Sequence, residues 1–246
     1  MDEKYFLSTV KRALDHMSSE PYDYRKTHEN LLEVTRKSMS ILEQTDENSS
    51  EKFVLIYAGP NASGKSSIAS NVNRDIDLPF LNPDMIAKEY FDQIQDEEDQ
   101  YRKYAMPYTE KIRNRFIEAG RNFSFETVFS DPQKLTLISE LKNQGYKIYT
   151  IWMGTNDPYI NTERALRRQE SGGHYVPSDK ILSRYYKGMG NLSQLLHLSD
   201  TAVVVDNSTE EPYVVIQKIV NQCRLVYEKQ CPEWITKYLL NHISKH

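Results

Sequence analysis

Residues Gly59, Pro60, Asn61, Ala62, Ser63, Gly64, Lys65 and Ser66 spell a full G-x-x-x-x-G-K-S phosphate-binding loop, with Ser67 following. The apolar run Phe53-Val54-Leu55-Ile56-Tyr57-Ala58 leads directly into it. The motif works where a buried strand feeds a loop that opens into a helix, so this pairing commits the chain to an α/β core. The glycines let successive N–H groups converge on a β-phosphate. Lys65 is placed to span the β- and γ-phosphates, and the Ser66 hydroxyl to ligate Mg²⁺. The positive end of the following helix adds to the attraction. A glycine turn that fits the pattern by chance is the competing reading, and the strand, loop and helix context speaks against it.

A chain of 246 residues suffices for one α/β domain with an appendage. Its net charge of -4 speaks against a nucleic-acid-binding surface, so no nucleic acid is expected as a partner. No apolar run is long enough to span a bilayer, and the opening Met1-Asp2-Glu3-Lys4 is acidic where a secretory signal is basic and then apolar. A cytoplasmic protein without membrane contact is expected. Cys223 and Cys231 are too few and too close for a metal site, and are expected to be free thiols on or beside the C-terminal helices.

Ahead of the first strand, Phe6, Val10, Leu14 and Met17 recur at helical spacing, as do Leu31, Leu32, Val34, Met39 and Leu42 more loosely. Residues 3–43 therefore read as two helices broken at Ser18-Ser19-Glu20-Pro21, and the polar stretch 44–50 as a linker. This divides the chain into a helical extension and linker, 1–50, and a phosphate-loop domain with a C-terminal helix, 51–246. Strands are expected at 53–58, 79–82, 122–128, 147–153 and 200–206. Helices are expected at 64–73, 84–94, 98–120, 132–144, 157–170, 178–196 and 211–228. Such alternation predicts a parallel sheet with helices on both faces. The tail 232–244 places Trp234, Tyr238, Leu239 and Ile243 on one helical stripe.

Three further segments carry candidate chemistry. In Leu81-Asn82-Pro83-Asp84-Met85-Ile86, Asp84 falls at the end of a strand, where open α/β sheets bind their ligands. Two readings stand: a general base that takes a proton from an attacking hydroxyl, or a cap on the helix beginning at Met85. Glu126, in Phe123-Ser124-Phe125-Glu126-Thr127, is a charge at the top of the sheet that needs either a ligand or a structural ion pair. Arg164 and Arg168 share one helical face ahead of Gly172-Gly173-His174, with Arg167 facing away. Paired guanidinium groups on a hinged segment suit closure over a transferring phosphoryl group; a solvated basic helix end is the alternative. His174 is assigned no proton transfer, and Tyr185 and Tyr186 are expected to pack their own helix.

Taken in order, these segments resemble the zeta toxin family of bacterial toxin–antitoxin systems. The resemblance runs through the phosphate loop, Asn82-Pro83-Asp84-Met85-Ile86-Ala87, Phe125-Glu126-Thr127, Gly145-Tyr146-Lys147-Ile148-Tyr149, the segment from Arg164 to Pro177, Arg184-Tyr185-Tyr186-Lys187-Gly188-Met189-Gly190-Asn191-Leu192 and Asp206-Asn207-Ser208, within residues 52–210. It implies a P-loop kinase-like fold and ATP and Mg²⁺ as cofactors. It also implies phosphorylation of the 3′-hydroxyl of the amino sugar of UDP-N-acetylglucosamine, which poisons peptidoglycan precursor synthesis. By the same resemblance Lys65 is the phosphate-binding lysine, Asp84 the base and Arg164 the first lid arginine. Glu126 and Glu110 are substrate carboxylates.

His174 stands where some members carry a second lid arginine, which makes Arg168 the candidate for that charge. Val128 and Ser130 stand where some members carry a threonine and an arginine that touch the sugar nucleotide. A kinase for another nucleotide sugar or a dinucleotide therefore remains an alternative. So does a nucleotide-gated binding protein that hydrolyses ATP slowly, although Asp206, after Val203-Val204-Val205, lies too late in the chain for most motor-type ATPases. Family membership also implies a helical antitoxin as partner. Residues 3–43 are then an antitoxin-like inhibitor within the chain, a packing extension or an oligomerisation hairpin.

Overall fold

The apolar run ahead of the phosphate loop is buried on both faces, which places it in the middle of a sheet. Strand β1, Phe53–Ala58, has Val54, Leu55, Ile56, Tyr57 and Ala58 all at 0% exposure. Its side chains alternate: Val54, Ile56 and Ala58 join the apolar cluster on one face, Leu55 and Tyr57 the cluster on the other. A computed structural model describes residues 1–20, 22–41, 51–94, 96, 100–173, 175–220, 222–226 and 231–240. The expected linker at 44–50 and the end of the tail lie outside these residues.

The remaining strands are β2 (Phe80–Leu81), β3 (Phe123–Thr127), β4 (Lys147–Gly154), β5 (Thr201–Asp206), β6 (Tyr213–Ile219) and β7 (Gln222–Leu225). They form one sheet in the order β2-β3-β1-β4-β5-β6-β7. β1 to β5 run parallel, as the alternation predicts, while β6 and β7 are antiparallel. The helix expected over 211–228 is thus replaced by the antiparallel strands β6 and β7, with β7 at the sheet edge. Tyr213-Val214-Val215-Ile216 is aromatic and β-branched, a composition that favours a pleated surface, and Val215 and Ile216 are buried in the core. Cys223 consequently lies on β7 rather than on a helix, and both cysteines are free thiols.

The helices are α1 (Glu3–Ser19), α2 (Tyr24–Ile41), α3 (Lys65–Ile76), α4 (Pro83–Tyr90), α5 (Met106–Glu118), α6 (Gln133–Asn143), α7 (Pro158–Glu170) and α8 (Ser178–Leu198). A π-helical turn, Gln100–Ala105, precedes α5. The tail is a short turn, Glu233–Ile235, running into a π-helical segment, Thr236–Leu240. Trp234 is 2% exposed there and donates from Nε1 to Asp206 Oδ2 at 2.6 Å.

The N-terminal helices share the core of the sheet. Asp2 caps α1 by accepting from Tyr5 N at 2.8 Å, and Phe6, Val10, Ala13 and Leu14 form its buried stripe. That stripe and Leu31 and Leu32 of α2 belong to the same apolar cluster as Ile68 and Val72 of α3 and Tyr149 of β4. Phe6 meets Tyr149 edge-on with ring centroids 5.1 Å apart. Truncating a phenylalanine so buried costs about 3–5 kcal/mol. Helix α2 also shields the short edge strand, since Phe80 N donates to Ser38 Oγ at 2.8 Å.

Register sets the site. Ala58 lies opposite Thr127 on one side and Trp152 on the other, so β3 and β1 finish level, while β4 and β5 run two residues further to the pair Gly154 and Asp206. Strand order reverses around β1, which makes its carboxyl end the topological switch point where such sheets bind ligands.

Candidate active site

The phosphate loop closes between β1 and α3 as the motif requires. Gly59 adopts φ +140°, and a Cβ there would overlap the Met153 carbonyl oxygen, so only glycine fits. Two asparagines brace the loop from outside: Asn161 Nδ2 donates to Asn61 O at 2.7 Å and Asn207 Nδ2 to Ser63 O at 2.9 Å. Lys65 opens α3 and is 4% exposed, with Nζ donating to Pro60 O at 2.6 Å.

Glu126 stands against the loop. Its Oε2 accepts from Ser66 Oγ at 2.9 Å and from Asn82 Nδ2 at 3.2 Å, while Oε1 lies 3.8 Å from Lys65 Nζ. Burial pushes the Glu126 carboxyl above its ordinary range, with the Lys65 charge and the Ser66 hydrogen bond pulling the other way. Burial likewise lowers Lys65, opposed by the Glu126 charge. Each ion is thus kept by the other inside a desolvated pocket. Ser66 and Glu126 together offer hard oxygen donors at the start of α3, and this set fits Mg²⁺. Among the described residues no group of three His, Cys, Asp or Glu side chains is gathered to hold a metal. A Mg²⁺ here would draw its other ligands from phosphates and water.

Asn82 joins this cluster to Asp84. It is the N-cap of α4, with Oδ1 accepting from Asp84 N at 2.8 Å and Met85 N at 3.4 Å. The cap expected at Asp84 is therefore supplied by Asn82, whose short amide reaches both N–H groups. Asp84 itself lies in the first turn with its side chain exposed, and its charge acts on Lys65, Glu126 and Tyr101.

On the other side lies α7. Arg164 donates from Nη1 to Asn207 O at 2.7 Å and from Nη2 to Thr209 O at 3.4 Å, which puts it one hydrogen-bonded residue away from Ser63. Burial lowers its pKa, with the neighbouring Arg167 adding to the effect. The charge of Arg168, one turn on, reaches Lys65 and Glu126. Arg167 pairs instead with Glu163 on the far face. His174 falls outside the described residues.

The connection between α1 and α2 completes the rim. A Cβ on Gly173 would lie 2.7 Å from Arg168 Cγ and 3.2 Å from Tyr24 Cζ, so the end of the lid segment rests on α2. The Tyr24 ring stands 5.1 Å from that of His28. Burial drives His28 down to about 4, helped by the charges of Lys88 and Arg168. It also raises the Tyr24 hydroxyl, against the pull of Arg168.

Of the residues singled out in the sequence, the structure brings Lys65, Ser66, Glu126 and Asp84 to one place and sets Arg164 and Arg168 along its edge. Glu110 is engaged elsewhere on its own helix. That carboxylate is 64% exposed and, among the described residues, pairs with Arg113 of its own helix at 3.0 Å. Asp206 is occupied structurally, accepting from Ser208 N and Ser208 Oγ at 3.0 Å each as well as from Trp234. Tyr185 packs as expected, 2% exposed with its hydroxyl donating to Thr155 O at 2.6 Å, but Tyr186 is 52% exposed. Sequence reasoning gave no role to Asn82, Asn161 or Asn207. The cap pattern Asn82-Pro83 was the readable signal for the first, and the position directly after β5 for the last.

A phosphate loop at the switch point, a facing carboxylate at a neighbouring strand end and arginines on α7 beside them define the class of P-loop kinase-like proteins. Within that class the zeta toxin family model matches residues 38–215, and the chain belongs to the zeta toxin family. An uncharacterized protein of Haemophilus influenzae is 27% identical over 145 residues, covering 53% of this chain and 91% of its own. A chain of the solved AvrRxo1-ORF1:AvrRxo1-ORF2 structure with sulphate ions superposes with a TM-score of 0.64 at 15% identity, covering 87% of this chain and 72% of that one. A chain of the PezAT chromosomal toxin–antitoxin system of Streptococcus pneumoniae gives 0.53 at 14% identity, covering 90% and 89%. At these identities the two structures establish a shared fold. Coverage of this extent takes in part of the N-terminal helical region as well as the sheet. Among the described residues no helix is long and apolar enough to cross a membrane.

Proposed function

We propose that the protein is an ATP- and Mg²⁺-dependent kinase that phosphorylates a sugar hydroxyl of a nucleotide sugar, UDP-N-acetylglucosamine first, and acts as a cytoplasmic toxin. The observation that carries this reading is the Lys65–Ser66–Glu126 cluster with the exposed carboxylate of Asp84 beside it, joined through Asn82. In-line phosphoryl transfer needs positioning and charge stabilisation more than covalent chemistry, and these groups supply both. The loop 59–67 cradles the phosphates and Lys65 spans the β- and γ-positions. Asp84 accepts the proton of the attacking hydroxyl. Arg168 neutralises charge developing on the transferred group, while Arg164 orders the loop around Asn207 that braces Ser63.

Glu126 orients Ser66 and, across the cleft, accepts from the acceptor. When bound, Mg²⁺ supplies charge neutralisation at the β- and γ-oxygens. Glu110, exposed and paired with Arg113, is the second carboxylate offered to the acceptor. The solved AvrRxo1-ORF1:-ORF2 complex with ATP, of related fold, supports ATP as the donor, and the PezAT complex supports an antitoxin as partner. Because α1 and α2 share a core with α3, we assign silencing to a separate antitoxin rather than to this hairpin. The test is transfer from labelled ATP to a panel of nucleotide sugars and dinucleotides. Labelling of another nucleotide but not UDP-N-acetylglucosamine would keep the reaction and change the substrate.

A further inference from the structure

Asp206 ends the apolar run Val203-Val204-Val205 and is 3% exposed, a charge that must be hydrogen-bonded to stay there. Its Oδ1 accepts from Ser208 N and its Oδ2 from Ser208 Oγ, at 3.0 Å each, which folds the chain into a turn directly after β5. Asn207 is the middle residue of that turn. Its Nδ2 donates to Ser63 O at 2.9 Å and its backbone N–H to Gly154 O at 2.8 Å. A Cβ at Gly64 would overlap Asn207 Nδ2, so the amide lies flush against the phosphate loop. The Ser63 hydroxyl is buried without a hydrogen bond among the described residues, which leaves its backbone as the handle by which this part of the loop is held.

A further donor to Asp206 comes from the tail, which lies outside residues 38–215 that the family model matches. Trp234 donates from Nε1 to Asp206 Oδ2 at 2.6 Å, and a Cβ at Gly154 would overlap its ring. The indole thus touches both strands that hold Asn207, β4 through Gly154 and β5 through Asp206. Beside it Ile235 and Leu239 are 0% and 1% exposed, in the same apolar cluster as Tyr185 and Met189 of α8. The tail is therefore anchored in the core and keeps the indole in place. Were packing its whole role, any large apolar ring would serve. The N–H aimed at a buried carboxylate is what such a ring lacks. Without it Asp206 depends on Ser208 alone, and the turn carrying Asn207 loses a fixed point. Converging phosphate donors tolerate little displacement, since a shift of about 1 Å is enough to spoil positioning.

We propose that Trp234 is a positioning residue of the nucleotide site: its hydrogen bond to Asp206 fixes Asn207, and through Asn207 the phosphate loop at Ser63. The tail thereby takes part in ATP binding without touching the nucleotide. The inference rests on the reading of 59–67 as the ATP site and extends that site to a residue far along the chain.

The experiment titrates a non-hydrolysable ATP analogue with Mg²⁺ into wild type, Trp234→Phe, Asn207→Ala and the double variant by calorimetry, with the melting of each followed by circular dichroism. Phenylalanine keeps a ring over Gly154 and removes the donor. Trp234→Phe should melt cooperatively and bind at unchanged stoichiometry, with its affinity for the analogue weakened about fivefold or more. Asn207→Ala should weaken binding at least as much, and adding Trp234→Phe to it should cost little more, because both act through one contact. A merely structural role would instead lower the number of competent molecules and leave the affinity of the rest unchanged. Should Trp234→Phe fail to melt cooperatively, Asp206→Asn, which leaves the indole packed and weakens its bond, takes its place with the same expectations. Wild-type affinity in a folded Trp234→Phe protein, or losses that add in the double variant, would overturn the proposal. A wild type without affinity for the analogue would overturn it together with the kinase reading. The expected binding pattern in a protein that transfers no phosphoryl group would refute the kinase reading alone.

Discussion

At the phosphate loop the charged groups are buried and engaged: Lys65 is 4% exposed, and Glu126 is held by Ser66, Asn82 and Lys65 within 3.8 Å. Across the cleft Asp84 is exposed, Glu110 is 64% exposed and Arg184 has no hydrogen bond among the described residues. The first region is preorganised, which suits a cofactor common to many reactions. The second gains its partners only with an acceptor, so its side chains declare a chemistry without naming a molecule. The contrast predicts that substitutions at the loop, and of the base Asp84, lower transfer to every acceptor, whereas those at the other open side chains act with substrate-dependent force.

The largest effect is expected from Lys65→Ala, which removes the charge spanning the phosphates. Transfer should fall by about 10³-fold or more in a protein that still melts cooperatively. Unaltered turnover in this variant would break the distinction between the two regions. Asp84→Asn keeps the shape and removes the base, so kcat should drop about 10²–10⁴-fold while the affinity for the ATP analogue holds. Wild-type rates with acceptor present would reduce Asp84 to a first-turn charge favoured by the helix dipole. Arg168→Ala should cost about 10²–10³-fold in kcat, the usual loss on removing one donor to a developing anion. Arg164→Ala, which frees the Asn207 loop, should instead raise the KM for ATP. Equal kinetic signatures for the two arginines would contradict their separate placements.

Glu126→Gln preserves the size of the side chain but weakens its hold on Ser66. The Mg²⁺ concentration needed for half-maximal nucleotide binding should rise about 10-fold, an effect typical of residues that orient a metal ligand. A variant that loses acceptor affinity alone would assign Glu126 wholly to the other region.

The smallest effect concerns stability at the rim. Because His28 is depressed to about 4 from its ordinary 6.5, its folded form stays neutral where the unfolded chain takes up a proton. Its contribution is therefore present above pH 6.5 and is lost as pH falls towards about 4. Urea denaturation of wild type and His28→Asn should show stabilities that differ less at pH 4 than at pH 7. A constant difference would mean that His28 titrates alike in both states.

Legibility in the sequence follows the same division. The phosphate loop is contiguous, so its strand, turn and helix could be read from one stretch, and the parallel order of β1 to β5 followed from alternation. The helix assigned to 211–228 failed because alternation was extended one element too far, over a segment whose Tyr213-Val214-Val215-Ile216 run favours a strand. Asn161 and Asn207 escaped notice because each matters through a backbone carbonyl 100 and 144 positions away in the chain, a relation without local pattern. Glu126 was legible as a strand-end charge, but its hydrogen bond to Ser66 depends on β3 lying beside β1, which only the register reveals.

The most direct test of the central claim is mass spectrometry of a cell extract incubated with the purified protein, ATP and Mg²⁺, with Lys65→Ala as the control. The account predicts that one nucleotide-linked metabolite, UDP-N-acetylglucosamine first, gains the mass of a single phosphoryl group with the wild type and not with the variant. ATP consumed at the same rate with and without extract, with no metabolite gaining a phosphate, would contradict it.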